Sequence, residues 1–250
     1  MGFFEKIFGK RQKLTELHDL SALVTDVHSH LIPGIDDGAK SLDESIQLIL
    51  GLQEMGFKKI ITTPHIMYDY YRNDREIILS GLKRLRETIA LHKIDIEIDA
   101  AAEYYLDDHF EQLIENKELL TFGNNLVLFE LSFFEEPKLL DKLIFDMQLN
   151  GYKPVLAHPE RYTYMHKNNY NRYHELFDKG VLMQVNLGSI AGNYGPEVSK
   201  TAQYMANKNM ISLLGSDTHH LMHIQMFRVL KTNPLIIRLL NENKLLNASL

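Results

Sequence analysis

The sequence predicts an α/β fold of parallel strands joined by helical crossovers. Seven strand–helix units form either a barrel one unit short of eight or an open doubly wound sheet. Three observations carry this. Short apolar, β-branched runs alternate with stretches of helical periodicity along the chain, and such alternation requires parallel pairing. The 250 residues suffice for one large core, and an α/β barrel of that length need not be divided. No low-complexity linker or sequence repeat interrupts the alternation. A short N-terminal extension, residues 1–20, is expected ahead of a single domain over residues 21–250.

The first strand is Ala22 to Val27. Ser41-Leu42-Asp43-Glu44 reads as a capping box opening a helix with Ile46, Ile49, Leu50 and Leu52 at core spacing, closed near Gly56. Lys59 to Thr63 is the second strand and Arg75 to about Lys93 the second helix. Ile94 to Ala102 is a strand, Asp107 to Asn116 a helix and Asn125 to Leu131 a strand. Glu136-Pro137 places proline in the first turn of the next helix, where its missing N–H costs nothing. Strand Lys153 to Ala157, helix Asn169 to Lys179, strand Val181 to Asn186, helix Pro196 to Asn207 and strand Met210 to Leu214 follow. A closing helix runs from Pro234 to Leu246.

Composition excludes several classes. A net charge of -6 lacks the basic face of a general nucleic-acid binder. With no cysteine, disulfides and thiolate ligands are absent, and a reducing cytoplasm fits. No apolar run is long enough to span a membrane, and no signal peptide is expected. Phe3, Phe4, Ile7 and Phe8 beside Lys6, Lys10, Arg11 and Lys13 read as a short basic amphipathic helix. It would dock on the protein's own surface or make a weak membrane-surface or partner contact. A homo-oligomer stays open.

The chemistry collects at the strands' C-terminal ends. The first strand leads into His28 and His30, two apart and so on one side of an extended chain, with Asp36 and Asp37 in the loop beyond. The others deliver His65, Glu103, Glu130, His158, Asn186, and Asp217 with His219. In parallel α/β folds the βα loops at that end build the active site. So many titratable groups on one rim would repel and desolvate one another without a cation. Mixed imidazole and carboxylate without sulfur suits manganese, iron or zinc. The candidates exceed the capacity of one ion, so two or three divalent ions are expected, an arrangement suited to in-line displacement at phosphorus.

These segments resemble the PHP (polymerase and histidinol phosphatase) superfamily, and within it the manganese-dependent protein-tyrosine phosphatases of bacterial capsule and exopolysaccharide operons. The matching stretches are Asp26 to Gly38, Thr63-Pro64-His65, Ala102-Glu103-Tyr104, Ala157-His158-Pro159-Glu160-Arg161 and Gly215-Ser216-Asp217-Thr218-His219, in the family's order. The resemblance implies a distorted (β/α)7 barrel carrying a trinuclear site. His28, His30, Glu103 and Asp217 would hold one ion. Glu103 would bridge to a second, held by Glu130 and His158, and Asp37, His65 and His219 would hold the third. Asp36 and His220 would support ligands from behind.

The implied activity is hydrolysis of phosphotyrosine by a metal-activated hydroxide, with an autophosphorylating bacterial tyrosine kinase as partner. That places the protein in the cytoplasm, or at the inner membrane through the kinase. A small-molecule phosphatase such as histidinol-phosphate phosphatase is the alternative. Arg161, three residues after a ligand, is the best phosphate-binding candidate, since a guanidinium matches two phosphate oxygens; pairing with a carboxylate is its other reading. Arg72 closing over the substrate and a protonated His223 are further candidate phosphate contacts. His65 or His219 would supply a proton to the leaving group. The loop Tyr68 to Asn73 either lines an aromatic slot or packs on the rim.

Overall fold

Helix starts follow from capping chemistry. In the computed structural model, which describes residues 17–167, 170–242 and 244–250, the Ser41 hydroxyl accepts from the Glu44 N–H at 3.2 Å and opens α1 (Leu42–Glu54). The Glu44 carboxylate takes the Lys40 N–H at 2.8 Å rather than that of Ser41, a capping box displaced by one residue. Asp74 and Asp107 cap α2 (Arg75–Leu91) and α3 (Asp108–Asn116), each accepting an N–H at 2.8 Å. α4 (Leu140–Leu149) begins later than Glu136-Pro137 suggested, because Pro137 turns the chain ahead of the helix and its C=O accepts from Leu140. α5 (Asn171–Asp178), α7 (Pro196–Asn207) and α9 (Pro234–Glu242) occupy expected stretches. The short α6 (Leu187–Ala191) and α8 (Leu221–Met226) were not anticipated. The N-terminal amphipathic segment, Phe3 to Lys13, lies outside the described residues. Leu17 and Leu20, within the expected extension, are buried in the core.

The strands are β1 (Thr25–Asp26), β2 (Lys59–Thr62), β3 (His65–Ile66), β4 (Glu97–Ala100), β5 (Glu103–Tyr105), β6 (Leu126–Glu130), β7 (Lys153–Ala157), β8 (Leu182–Asn186) and β9 (Ile211–Gly215). All pair in parallel, as β1-β2-β4 and β3-β5-β6-β7-β8-β9. Past the ends of the second and third expected strands the chain resumes as two further short strands, β3 and β5, and the third strand begins at Glu97 rather than Ile94. β2 and β3 are interrupted at Thr63-Pro64, and β4 and β5 at Ala101-Ala102. Pro64 has no N–H to give a ladder, although its C=O still accepts from Glu103 at 3.1 Å. The expected first strand is also shorter, since Ser21–Leu23 form a 3-10 turn and Val24 takes a left-handed φ of 64°.

The ring closes between the first and last units. Asp217 donates its N–H to the His28 C=O at 2.7 Å, His30 donates to the Thr218 C=O at 3.0 Å, and Ser29 and Thr218 form a parallel bridge. Asn247 ties the opposite end, donating its amide to the carbonyls of Thr25 and Leu214. The result is a distorted seven-unit barrel rather than an open sheet. Val27, Ile61, Ala101, Leu128, Val155 and Leu213 fill its interior, while alternate residues such as Val127, Phe129, Met183 and Val185 join the larger layer beneath the helices.

Candidate metal centre

Period-two alternation aims the barrel's inward residues at one rim. On β6 the inward series Leu126, Leu128 ends on Glu130; on β8 it is Leu182, Gln184, Asn186. β7 departs from this, since Val155 and Ala157 face inward and strict alternation would turn His158 away. His158 instead adopts a left-handed φ of 35°, and its Nε2 reaches Glu103 Oε1 at 3.0 Å. Asp217 is left-handed too, at φ 52°. Such backbone strain in non-glycine residues concentrates at functional sites.

The structure brings His28, His30, Asp37, His65, Glu103, Glu130, His158, Asp217 and His219 together around one cavity mouth. Glu103 lies at the centre. Its Oε2 is 3.1 Å from His28 Nε2, 3.4 Å from His30 Nε2 and 3.3 Å from His65 Nδ1. Asp217 Oδ1 stands 3.5 Å from His28 Nε2 and 3.4 Å from His219 Nδ1. Asp37 Oδ1 is 3.3 Å from His219 Nε2 and 3.6 Å from His65 Nε2, and His65 Nδ1 is 3.1 Å from Glu130 Oε1. Donor atoms gather closely enough to hold an ion in four overlapping groups: His28, His30 and Glu103; His28, His158 and Asp217; His65, Glu103 and Glu130; and His30, Asp37, His65 and His219. His65 therefore faces two groups, one through each ring nitrogen, whereas the family resemblance gave it to a single ion.

This donor set fits divalent cations. Nε2 of His28 and of His30, Nδ1 of His65 and Oε2 of Glu103 are buried without a hydrogen-bond partner, which is costly unless something else occupies their lone pairs. Both histidines of the first strand are fixed from behind. His28 Nδ1 meets Gln184 Oε1 and His30 Nδ1 meets Asp36 Oδ2, each at 2.7 Å. Those contacts place the proton on Nδ1 and leave Nε2 free to ligate. Asp36 also accepts the N–H groups of Gly38 and His65. Asn186 donates to Asp217 Oδ2 at 2.7 Å.

Electrostatics match. Burial alone would pull His28 down, but Glu103 and Asp217 push it up to about 9. His30 is likewise raised against burial by Asp36 and Glu103. For Glu103 and Asp217, burial opposes the charge, yet His28 and its neighbours hold both carboxyls well below the usual range. A rim of imidazoles and ionised carboxylates that stabilise one another only through shared protons is one that metal ions can occupy in place of those protons.

Arg161 lines the same cavity of about 290 Å³. Its Nη1 donates to Asp217 Oδ2 at 3.1 Å, and its guanidinium lies 4.8 Å from the Phe133 ring centre and 4.4 Å from that of Tyr194. Glu160, the neighbouring carboxylate, turns away to accept from Ser189 Oγ and the Asn186 N–H. Arg72 does not line the cavity. It donates to its own loop at the Tyr68 C=O and stacks on the Tyr68 ring. His220 and His223 do line it, but a protonated His223 does not fit. Its Nδ1 accepts the His219 N–H at 3.2 Å, and burial together with His219 lowers its pKa. Of the three loop tyrosines, Tyr68 and Tyr70 are exposed, and Tyr71 stacks on His65 with centroids 5.3 Å apart.

Gln184, Phe133 and Tyr194 were not singled out from sequence. Gln184 had a signal, a lone polar residue in an apolar strand with the parity of Asn186. Phe133 and Tyr194 had none beyond their positions in βα loops.

The family described as capsular polysaccharide synthesis, CpsB/CapC, matches residues 24–241. The tyrosine-protein phosphatase YwqE of Bacillus subtilis (strain 168) is 30% identical over 196 residues, 78% of this chain and 77% of its own. Tyrosine-protein phosphatase CpsB of Streptococcus pneumoniae is 30% identical over 203 residues, 78% of this chain and 83% of its own. Among solved structures, a chain from the crystal structures of YwqE and CpsB, described as unique metal-dependent tyrosine phosphatases, superposes with a TM-score of 0.78 at 28% identity, over 90% of this chain and 94% of its own. The phosphotriesterase homology protein of Escherichia coli, at 14% identity and a TM-score of 0.53, shares the fold. With the matched segment covering most of its length, the chain belongs to the capsular polysaccharide synthesis CpsB/CapC family.

Proposed function

We propose that this protein is a metal-dependent protein-tyrosine phosphatase with two or three divalent ions, manganese foremost. Its substrate would be a phosphotyrosine protein, such as an autophosphorylating bacterial tyrosine kinase of capsule or exopolysaccharide synthesis. It would meet that kinase from the cytoplasm at the inner membrane; no helix among the described residues is long and apolar enough to cross a membrane. The observation that carries the reading is the set of buried imidazole and carboxylate atoms that face only one another, beside a cavity that also presents an arginine. The relatives named tyrosine phosphatases favour it over a small-molecule phosphatase.

His28, His30, Glu103 and Asp217 would hold one ion, Glu103, Glu130 and His158 a second, and Asp37, His65 and His219 a third. Bound there, such ions polarise phosphoryl oxygens and acidify water. The chain's own residues do the rest. Arg161 takes the phosphate through its unpaired edge. Phe133 and Tyr194 line the cavity beside it. A phenol leaves with a conjugate-acid pKa of about 10, so proton donation by His65 or His219 is an aid rather than a requirement. The absence of cysteine agrees, since attack by water needs no protein nucleophile.

The metal-loaded protein should release phosphate from a phosphotyrosine peptide and lose that activity with chelator and in His28→Ala or Asp217→Ala. Persistent turnover in the double variant without bound metal would defeat the proposal. Histidinol phosphate assayed alongside decides between the two substrate classes.

A further inference from the structure

The guanidinium of Arg161 lies against two aromatic rings, and two separate loops supply them. Phe133 comes from the loop after β6, its ring centre 4.8 Å from the guanidinium carbon; Tyr194 comes from the loop between α6 and α7, its ring centre 4.4 Å away. Each ring is itself fixed. Phe133 stacks on His158 with centroids 5.7 Å apart and leans on Tyr162 at 5.3 Å. Tyr194 sits in a tight turn bracketed by Gly192 and Gly195, whose φ values of 92° and 89° suit glycine. Both rings line the cavity with Arg161.

A guanidinium has five N–H donors in one plane. Those donors point outward in the plane, so contact with the rings leaves them free to bond at its edge. Among the described residues Arg161 makes one side-chain hydrogen bond, Nη1 to Asp217 Oδ2 at 3.1 Å. Its remaining donors have no partner among these residues, though the side chain is only a quarter exposed. A flexible arginine beside Asp217 could rotate to give that carboxylate both arms; one seated against two rings would have to leave them to do so. Aromatic faces also attract the cation without competing for its N–H groups.

We infer that Phe133 and Tyr194 are positioning residues that hold Arg161 edge-on to the cavity, presenting its free donors to a phosphate oxygen. The clamp rests on the phosphatase reading for its substrate, but its own ligand is the phosphoryl group. Neither ring needs to touch the reacting atoms. The rings keep Arg161 from folding fully onto Asp217 and so hold it ready before substrate arrives.

A double-mutant cycle tests this, with two readouts on metal-loaded protein: steady-state hydrolysis of a phosphotyrosine peptide, and calorimetric titration with inorganic phosphate. Phe133→Leu and Tyr194→Leu should each raise KM and weaken phosphate binding about tenfold, with kcat changed less. Tyr194→Phe, which keeps the ring, should recover most of what Tyr194→Leu loses. In an Arg161→Ala background Phe133→Leu should add less than about twofold, because a residue acting through another contributes nothing once that other is gone. Equal losses in both backgrounds, failure of Tyr194→Phe to rescue, or no phosphate binding by the parent protein would overturn the clamp. If the parent binds phosphate but leaves the peptide intact, the substrate reading fails and the titration still decides the clamp.

Discussion

His28 and His30 owe their geometry to two residues behind them. Gln184 and Asp36 each occupy an Nδ1 atom at 2.7 Å, so each ring's tautomer and tilt are set before any ion arrives. Asp36→Ala should therefore weaken manganese binding about 10- to 100-fold, measured by calorimetric titration of the metal-free protein, with His30 still in place. A change under about twofold would mean that Asp36 serves only its loop, where it also takes the Gly38 and His65 N–H groups. The paired histidines were legible in sequence because extended backbone has a period of two and a Pro/Gly loop marked the strand's end. The role of Gln184 was not, since nothing local says that a strand much later in the chain lies against the first. His158 shows a further limit: its place in the cluster depends on a left-handed backbone at a non-glycine residue, which alternation argues against.

β9 sits between β8 and the first strand's continuation, and Gly215 packs against both. A Cβ there would lie 2.6 Å from His28 Cβ and 2.7 Å from Gln184 Nε2. Neither neighbour can retreat freely, because each holds the other. Gly215→Ala should cost about 1–3 kcal/mol in stability, read by denaturant unfolding of the chelated protein, and should weaken metal binding as well. Unchanged stability would show that the barrel's closing seam yields more easily than these contacts imply. The sequence showed the parallel alternation and most helices, since capping residues and apolar periodicity are local. It did not show that two strands resume beyond their expected ends at Thr63 and Ala102. The breaks at Thr63-Pro64 and Ala101-Ala102 let His65 and Glu103, each at the start of a fresh strand and paired in register, enter the cavity together. α6 and α8 escaped notice because five or six residues hold too little periodicity to separate from loop.

Closing the barrel brings carboxylates and imidazoles from every part of the chain into one low-dielectric mouth, and that concentration ties stability to pH and to metal in opposite directions. Without metal, His28 titrates near 9 instead of its ordinary 6.5, and His30 and His65 are raised as well. A raised histidine adds stability that is complete below about pH 6.5, where the unfolded chain is also protonated, and disappears as pH climbs through 9. Asp37 and Asp217, both depressed, add stability that is present above about pH 4 and lost as pH falls further. The chelated protein should therefore be most stable between about pH 4 and 6.5, its Tm falling by several degrees from pH 6.5 to 9. Added manganese should reverse the slope over that upper window. Ligation by the same imidazoles would require them to release their protons, so affinity should rise with pH, and stabilisation by a bound ligand grows with affinity. Thermal unfolding across pH 5 to 9, with chelator and with saturating manganese, should give two curves that diverge toward alkaline pH. Parallel curves would mean that the buried histidines neither share protons with Glu103 and Asp217 in the empty site nor yield them to the ion.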